Sequence, residues 1–348
     1  MSQVSRRSFL KESVLANTLL VTSSLPLVAT AKSCHSNHLQ FTIGSHYRPD
    51  TSARALNKIK KATMDFIESN YRNKNLPVWR KKVDQVDLEK RVHWAIYWTM
   101  VAIDKYKHKG FPLDPVWVIS QMMVESFFYE FAVSGALAVG PCQFVRNTAK
   151  SYQMLCAGDR AVHHTSVYRK FKSAGQLDKA STLKSKKRKF KKVSRKIKKI
   201  NLSDAIQAIA DGDVSLQATA KKQLNYQKQL DEYKESINEA RQAYKDYLIA
   251  NFEGRDIFNS RDINFLVNFD ERISYKRSIP NMVKMLSWAL SHRQGNILVA
   301  ASAYNAGLSR TKDSGHFKPY GRIPGNYETS TYVSRILVNY MEITKKII

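Results

Sequence analysis

The stretch KFKSAGQLDKASTLKSKKRKFKKVSRKIKK, residues 170 to 199, holds fourteen lysines or arginines and one aspartate. No core absorbs such a run, because a buried charge is costly unless it is paired. One acid cannot pair fourteen cations. Any globular domain must therefore be assembled from the residues before the run, after it, or both. The run supplies +13 of the chain's net +28. Its functional reading is an electrostatic tether to anionic polymer or lipid head groups; its bland reading is a solvated basic linker. A pI of about 9.9 calls for an anionic partner without saying which.

Residues 201 to 250 read as helical. Tyr226, Leu230, Tyr233, Ile237, Ala240, Tyr244 and Tyr247 alternate steps of four and three, a heptad seam about three heptads long. Such a seam either docks a partner or packs on its own protein, which is the commoner outcome. Asp211-Gly212-Asp213 ends a preceding helix that carries Leu202, Ile206 and Ile209. These features predict that residues 161–254 form an inserted basic helical hairpin or short coiled coil. Its two ends must then lie close together, with 53–160 and 255–348 sharing one core.

The flanking halves carry helical periodicity. Leu56, Ile59, Phe66 and Ile67 share a face, as do Leu88, Val92, Ala95, Ile96, Thr99 and Ile103. Asp114 caps a helix with Pro115 at its first position. That helix carries Val118, Ile119, Met122 and Met123. Met282, Met285, Leu286, Ala289 and Leu290 mark another, NILVAASAYNAG begins the next, and STYVSRILVNYMEI closes the chain. Alternating strand patterns do not occur, so the fold class is mainly α. With 348 residues and 43% hydrophobic content, a sizeable core is available. Three cysteines make no disulfide framework, and Cys142 and Cys156 read as buried thiols. His163-His164 reads as a solvated loop. No spacing suits zinc, and the reading calls for no cofactor or metal.

SRRSFLK, residues 5–11, precedes a moderately apolar stretch and Ala29-Thr30-Ala31, an A-x-A cleavage pattern. It resembles a twin-arginine signal. Residues 1–31 are thus expected to be a signal peptide cleaved after Ala31, 32–52 an irregular lead-in, and the destination the periplasm. A folded passenger fits the low cysteine count. Export argues against nucleic acid as the partner and makes the anionic envelope the natural reason for the charge.

The segment MMVESFFYEFAVSGALAVGPCQF, residues 122–144, places Glu125 where the pattern wants a hydrophobe. An apolar setting keeps a carboxyl protonated and fit to donate a proton to a leaving group. Glycoside cleavage uses such an acid, usually with a second carboxylate. Glu130 is placed on another side of a continuing helix, and sequence alone does not position Asp270 or Glu271. On composition alone, a structural glutamate is the better reading.

Three motifs change that balance. VISQMMVESFFYEFAVSGALAVGPCQFVRNTAKSY resembles the catalytic segment of the soluble-type lytic transglycosylases (the SLT domain), whose fold is that of goose-type lysozyme. Glu125-Ser126 is followed by Ser134 nine positions on and Gln143 eighteen positions on, as in the family. ASAYNAG resembles its second motif and TYVSRILVNY its third. The resemblance covers roughly 110–160 and 260–342. Leu137 departs from it by standing at a turn position where the family has glycine, and Pro141-Cys142 replaces a Leu-Met.

The resemblance implies a single glutamate, Glu125, that protonates the glycosidic oxygen of the MurNAc–GlcNAc bond. It then serves as base while the muramic C6 hydroxyl closes a 1,6-anhydro ring. No second carboxylate is needed, since the substrate supplies the nucleophile. The implied substrate-binding residues are Ser126, Ser134, Gln143, Tyr304, Asn305 and Tyr332. Within that set, Asn305 would hold the Tyr304 loop and Tyr332 would orient Glu125. The implied partner is peptidoglycan, with anionic polymer or lipid head groups at 170–199 and a protein at the 201–250 seam as further candidates. A non-catalytic envelope scaffold and a lysozyme-type hydrolase remain as alternatives.

Overall fold

The computed structural model describes residues 48–106, 111–194, 200–312 and 314–347. The signal-like segment and residues 32–47 of the lead-in lie outside them. In chain order the helices are α1 (Ala53–Tyr71), α2 (Leu88–Tyr106), α3 (Pro115–Ser126), α4 (Arg146–Ser151), α5 (Gln176–Val193) and α6 (Leu202–Ala210). They continue as α7 (Gln217–Phe252), α8 (Ser260–Phe269), α9 (Tyr275–Ser291), α10 (Ile297–Ala306) and α11 (Tyr327–Ile347). Among the described residues the only strand-like pairings are two isolated bridges, Val133 with Val139 and Val139 with Phe144. The protein is mainly α, as the periodicities predict. No helix among the described residues is long and apolar enough to cross a membrane.

The chain divides into two units: one reaches Cys156 and resumes at Arg255, and the other runs from Ala157 to Gly254. In the first unit α3 is the central element. Asp114 accepts from the Val116 amide at 2.8 Å, and Pro115 sits in the first turn, so the helix starts where the sequence places it. Every residue from Pro115 to Met123 is buried, including Trp117 and Gln121. A helix buried all round belongs to the middle of a bundle. It packs against α2 and α11; α11 also meets α1 and α10, and α9 lies on α2.

The second unit begins at 157, four residues before the expected boundary. Its first turn is bound to its last helix: Tyr244 donates to the Ala157 carbonyl at 2.8 Å, and Tyr247 to the His163 carbonyl at 2.9 Å. The expectation of a solvated loop at His163 is thereby corrected. His163 is fully buried, and its Nδ1 accepts from the Gly158 amide at 2.9 Å. A β-carbon at Gly158, where φ is +86°, would stand 2.6 Å from the Ala174 carbonyl oxygen, so that turn requires glycine.

The basic run is not an unstructured linker over its described part. Residues 176–193 form α5, which pairs antiparallel with α7. Phe190 meets Tyr226 and Tyr233 at ring distances of 5.1 and 5.9 Å. Leu230, Ile237, Ala240, Tyr244 and Tyr247 of the seam are buried within the unit. Lysine has good helix propensity, and its charge stays in water while one narrow face packs. The hairpin partner of the seam is therefore α5 rather than α6. Leu202, Ile206 and Ile209 of α6 are 77%, 58% and 81% exposed. Residues 195–199 of the run lie outside the described residues.

Candidate active site

Glu125 is the penultimate residue of α3. The helix stops because Phe127 and Phe128 both take left-handed backbone, at φ +52° and +61°. Left-handed backbone costs a non-glycine residue about 1–2 kcal/mol, so both residues must be held there. The Trp79 indole donates to the Phe127 carbonyl at 2.9 Å, and the Tyr275 hydroxyl donates to the Phe128 carbonyl at 2.5 Å. Glu130 thus lies beyond the helix rather than on its far side, which corrects the expected continuation. Its carboxylate is fully buried and doubly bonded by Arg91, at 2.5 and 2.9 Å. Burial pushes the Glu130 carboxyl up, against the pull of the Arg91 guanidinium.

The segment after Phe128 folds back under α3. The Ser126 hydroxyl donates to the Pro141 carbonyl at 2.8 Å, and the Gly140 amide to the Ala132 carbonyl at 3.0 Å. The Ser134 hydroxyl accepts from the Ala138 amide at 3.0 Å. The Gln143 side-chain amide donates to the Gly140 and Ala132 carbonyls at 2.9 and 3.2 Å. Leu137 has φ +64°, so the departure from glycine leaves the glycine conformation in place. Gly140, at φ +85°, is irreplaceable for a second reason: a β-carbon there would stand 1.9 Å from the Arg272 carbonyl oxygen.

A buried ion pair clamps this segment. Arg272 and Asp270 are both fully buried and joined by two hydrogen bonds, at 2.6 and 2.8 Å. The same guanidinium donates to the carbonyls of Phe144 at 3.2 Å and Leu137 at 3.3 Å. Such a pair holds geometry because breaking it leaves a bare charge inside. Sequence reasoning names Asp270 only as an acid it cannot place and misses Arg272. The three acids weighed as second carboxylates, Glu130, Asp270 and Glu271, are each paired with an arginine: Arg91, Arg272 and Arg277.

The three motifs meet at this segment. The Tyr304 hydroxyl donates to the Cys142 carbonyl at 2.7 Å, joining the second motif to the first. The Tyr332 hydroxyl donates to Glu125 Oε1 at 2.6 Å, joining the third. Asn305 accepts from the Thr329 hydroxyl at 3.2 Å, tying the end of α10 to the start of α11. Burial pushes the Cys142 thiol up, and the charge of Glu125 adds to that effect.

Ser126 and Ser134 are 0% exposed, Tyr304 and Tyr332 1%, Gln143 4% and Asn305 9%. The hydrogen bonds above tie Ser126, Ser134, Gln143, Tyr304 and Tyr332 into the wall around Glu125, and Asn305 into the link between α10 and α11. Glu125 is partly exposed. Left-handed residues cluster here as well. Four of the nine non-glycine residues with positive φ among those described, Phe127, Phe128, Leu137 and Gln143, lie between 127 and 143. Strain held by surrounding structure points to a functional site. Among the described residues no group of three or more His, Cys, Asp or Glu is arranged to hold a metal ion. Comparison with protein-family models, with curated proteins and with solved structures found no match to this chain.

Proposed function

We propose that this protein is a periplasmic peptidoglycan lytic transglycosylase with Glu125 as its one acid/base residue. The observation that carries the reading is the 2.6 Å hydrogen bond from Tyr332 to Glu125. It joins residues 207 positions apart that fall in two of the three motifs. In the proposed reaction Glu125 gives its proton to the glycosidic oxygen as the bond from muramic C1 breaks. The carboxylate then takes the proton of the C6 hydroxyl as that oxygen bonds to C1, closing the 1,6-anhydro ring. Proton count returns to its start, and no water is consumed. Tyr332 holds the carboxyl in one orientation, and Ser126, Gln143 and Tyr304 hold the segment that walls it. The basic face of α5 adds attraction to the anionic envelope.

The test is mass spectrometry of sacculi digested with the mature protein, beside Glu125→Gln. General acid–base catalysis contributes roughly 10²–10⁴-fold, and the glutamine cannot supply it. We expect products ending in 1,6-anhydromuramic acid, with release falling at least 100-fold in the variant. Reducing-end products would make the protein a hydrolase. Retained binding without cleavage would make it an envelope scaffold.

A further inference from the structure

One end of the second unit leaves its apolar side chains in the open. Val193, Leu202, Ile206, Ile209, Val214 and Leu224 are each more than half exposed. They are six of the eighteen large hydrophobic residues left exposed among those described, and all six fall between 193 and 224. Scattered singly, such residues need no explanation; gathered in this way they mark an interaction surface. At 3.6 residues per turn, Leu202, Ile206 and Ile209 share an arc of about 60° on α6, and Asp204 faces the other way. Ala205 and Ala208 of the same helix, Val214 of the following turn, and Leu224 and Tyr226 of α7 line a groove of about 920 Å³.

The cations of α5 stand at the edge of this surface. Ser194, at the end of α5, also lines the groove. One turn earlier Phe190 meets Tyr226, itself in the lining, at 5.1 Å. Lys189, Lys191 and Lys192 belong to that same last turn, and all three are exposed. The acids of this end, Asp211 and Asp213, take partners within their own turn. Asp211 accepts from the Gln207 side-chain amide at 2.8 Å, and Asp213 from the Ser215 amide and hydroxyl at 2.7 and 2.8 Å.

Charge and apolarity together select the occupant. A second copy would bring two runs of +13 face to face, which repulsion disfavours. An anionic polymer meets the lysines but has nothing for Leu202, Ile206 and Ile209. An anionic lipid surface offers both, head groups for the cations and acyl chains for the apolar arc. The cations are spread along the 18 residues of α5, about 27 Å, which suits an extended surface better than a single acidic helix. With nine residues α6 is about 14 Å long, against roughly 30 Å of hydrocarbon in a bilayer. It is long enough to lie in the interface and too short to cross it.

We infer that this end of the second unit docks on an anionic lipid bilayer. Leu202, Ile206 and Ile209 enter the head-group region, and Lys189, Lys191 and Lys192 meet the lipid phosphates. Either signal alone holds a membrane weakly, and the two together hold it firmly. The docking surface goes beyond the reaction proposed above and uses none of its residues.

The test is cosedimentation of the full mature protein with large vesicles of phosphatidylglycerol and phosphatidylcholine in equal parts, beside vesicles of phosphatidylcholine alone. Two variants accompany the wild type: Leu202→Ser/Ile206→Ser/Ile209→Ser and Lys189→Gln/Lys191→Gln/Lys192→Gln. All six side chains are exposed, and thermal melting shows whether each variant folds. We expect wild-type protein to bind the anionic vesicles at least tenfold more tightly than the neutral ones. Each folded variant should bind the anionic vesicles at least tenfold more weakly than wild type. Equal binding by the serine variant overturns the inference, because charge alone then accounts for the attraction. Equal binding by the glutamine variant, or equal binding of wild type to neutral vesicles, overturns it from the other side. Wild-type protein that binds neither vesicle overturns the lipid assignment in favour of an acidic protein helix. Vesicle binding needs no catalysis. Protein that binds the anionic vesicles but cuts no sacculus therefore defeats the proposed reaction and leaves this surface standing.

Discussion

The two units use charge in opposite ways. In the first, two cations turn inward: Arg272, fully buried, and Arg91, partly buried, are wrapped around Asp270 and Glu130 and around backbone carbonyls. In the second, Lys184, Lys186, Arg188, Lys189, Lys191 and Lys192 stand in water along α5. A buried guanidinium fixes geometry, because every donor must find its acceptor. An exposed lysine face fixes almost nothing locally but projects a field. One arginine in the first unit should therefore matter more to the fold than several lysines in the second. Apolar side chains divide in a related way. In α7 the seam is covered by α5, whereas the apolar residues of α6 are left open.

Arg272→Ala tests the largest expected effect. It strands Asp270 in the interior and releases the carbonyls of Leu137 and Phe144. Breaking a buried pair costs about 3–5 kcal/mol. Urea unfolding should show a loss in that range, and a loss under 1 kcal/mol would show that the clamp is decorative. Next comes Tyr332→Phe, which keeps the packing but removes the donor to Glu125. A hydrogen bond to a charged group is worth about 1.5–3 kcal/mol, or roughly 10- to 150-fold in rate. Tyr332 is 1% exposed, and in the reaction proposed above it acts on Glu125 rather than on the glycan. The loss should therefore fall on kcat with KM unchanged; a change confined to KM would refute the orienting role.

These two residues differ in how far the sequence betrays them. The start of α3 is legible because Asp114 and Pro115 act on their own helix. Glu125 is legible as an oddity, and its partner only through the order of the three motifs. Arg272 is not legible, since the two carbonyls it holds lie 128 and 135 positions away and nothing local marks it or its neighbour Asp270 as buried. Ser126 and Ser134 read as substrate contacts because a hydroxyl in a motif invites that role. The turn also engages both hydroxyls. In α5 the density of lysine hides a helix whose packing face is carried by little more than Ala180 and Phe190. Charge answers what the run does in water, and spacing answers what it does against α7.

A smaller effect is expected at Leu137. Glycine would relieve left-handed strain worth about 1–2 kcal/mol. But Leu137 is 3% exposed, and burying a leucine is worth about 1.5–3 kcal/mol. Glycine also adds about 0.5–1 kcal/mol of backbone entropy to be lost. The packing side wins, so Leu137→Gly should destabilise by about 1.5 kcal/mol. A stabilised variant would mean that the turn is strained beyond what its burial repays.

The smallest effect belongs to α6. Leu202, Ile206 and Ile209 bury little, so replacing each with serine removes almost no packing. Surface changes of this kind stay within about 0.5 kcal/mol each. The serines also lower helix propensity slightly, by less than about 0.7 kcal/mol per position. Thermal melting of the triple variant should move little, and solubility should rise as an exposed apolar face is removed. The matched control is Ile237→Ala in the seam, where cavity formation costs about 2–5 kcal/mol. If the α6 triple variant loses as much as Ile237→Ala, then α6 is covered in solution, and the two apolar faces of this unit are used alike.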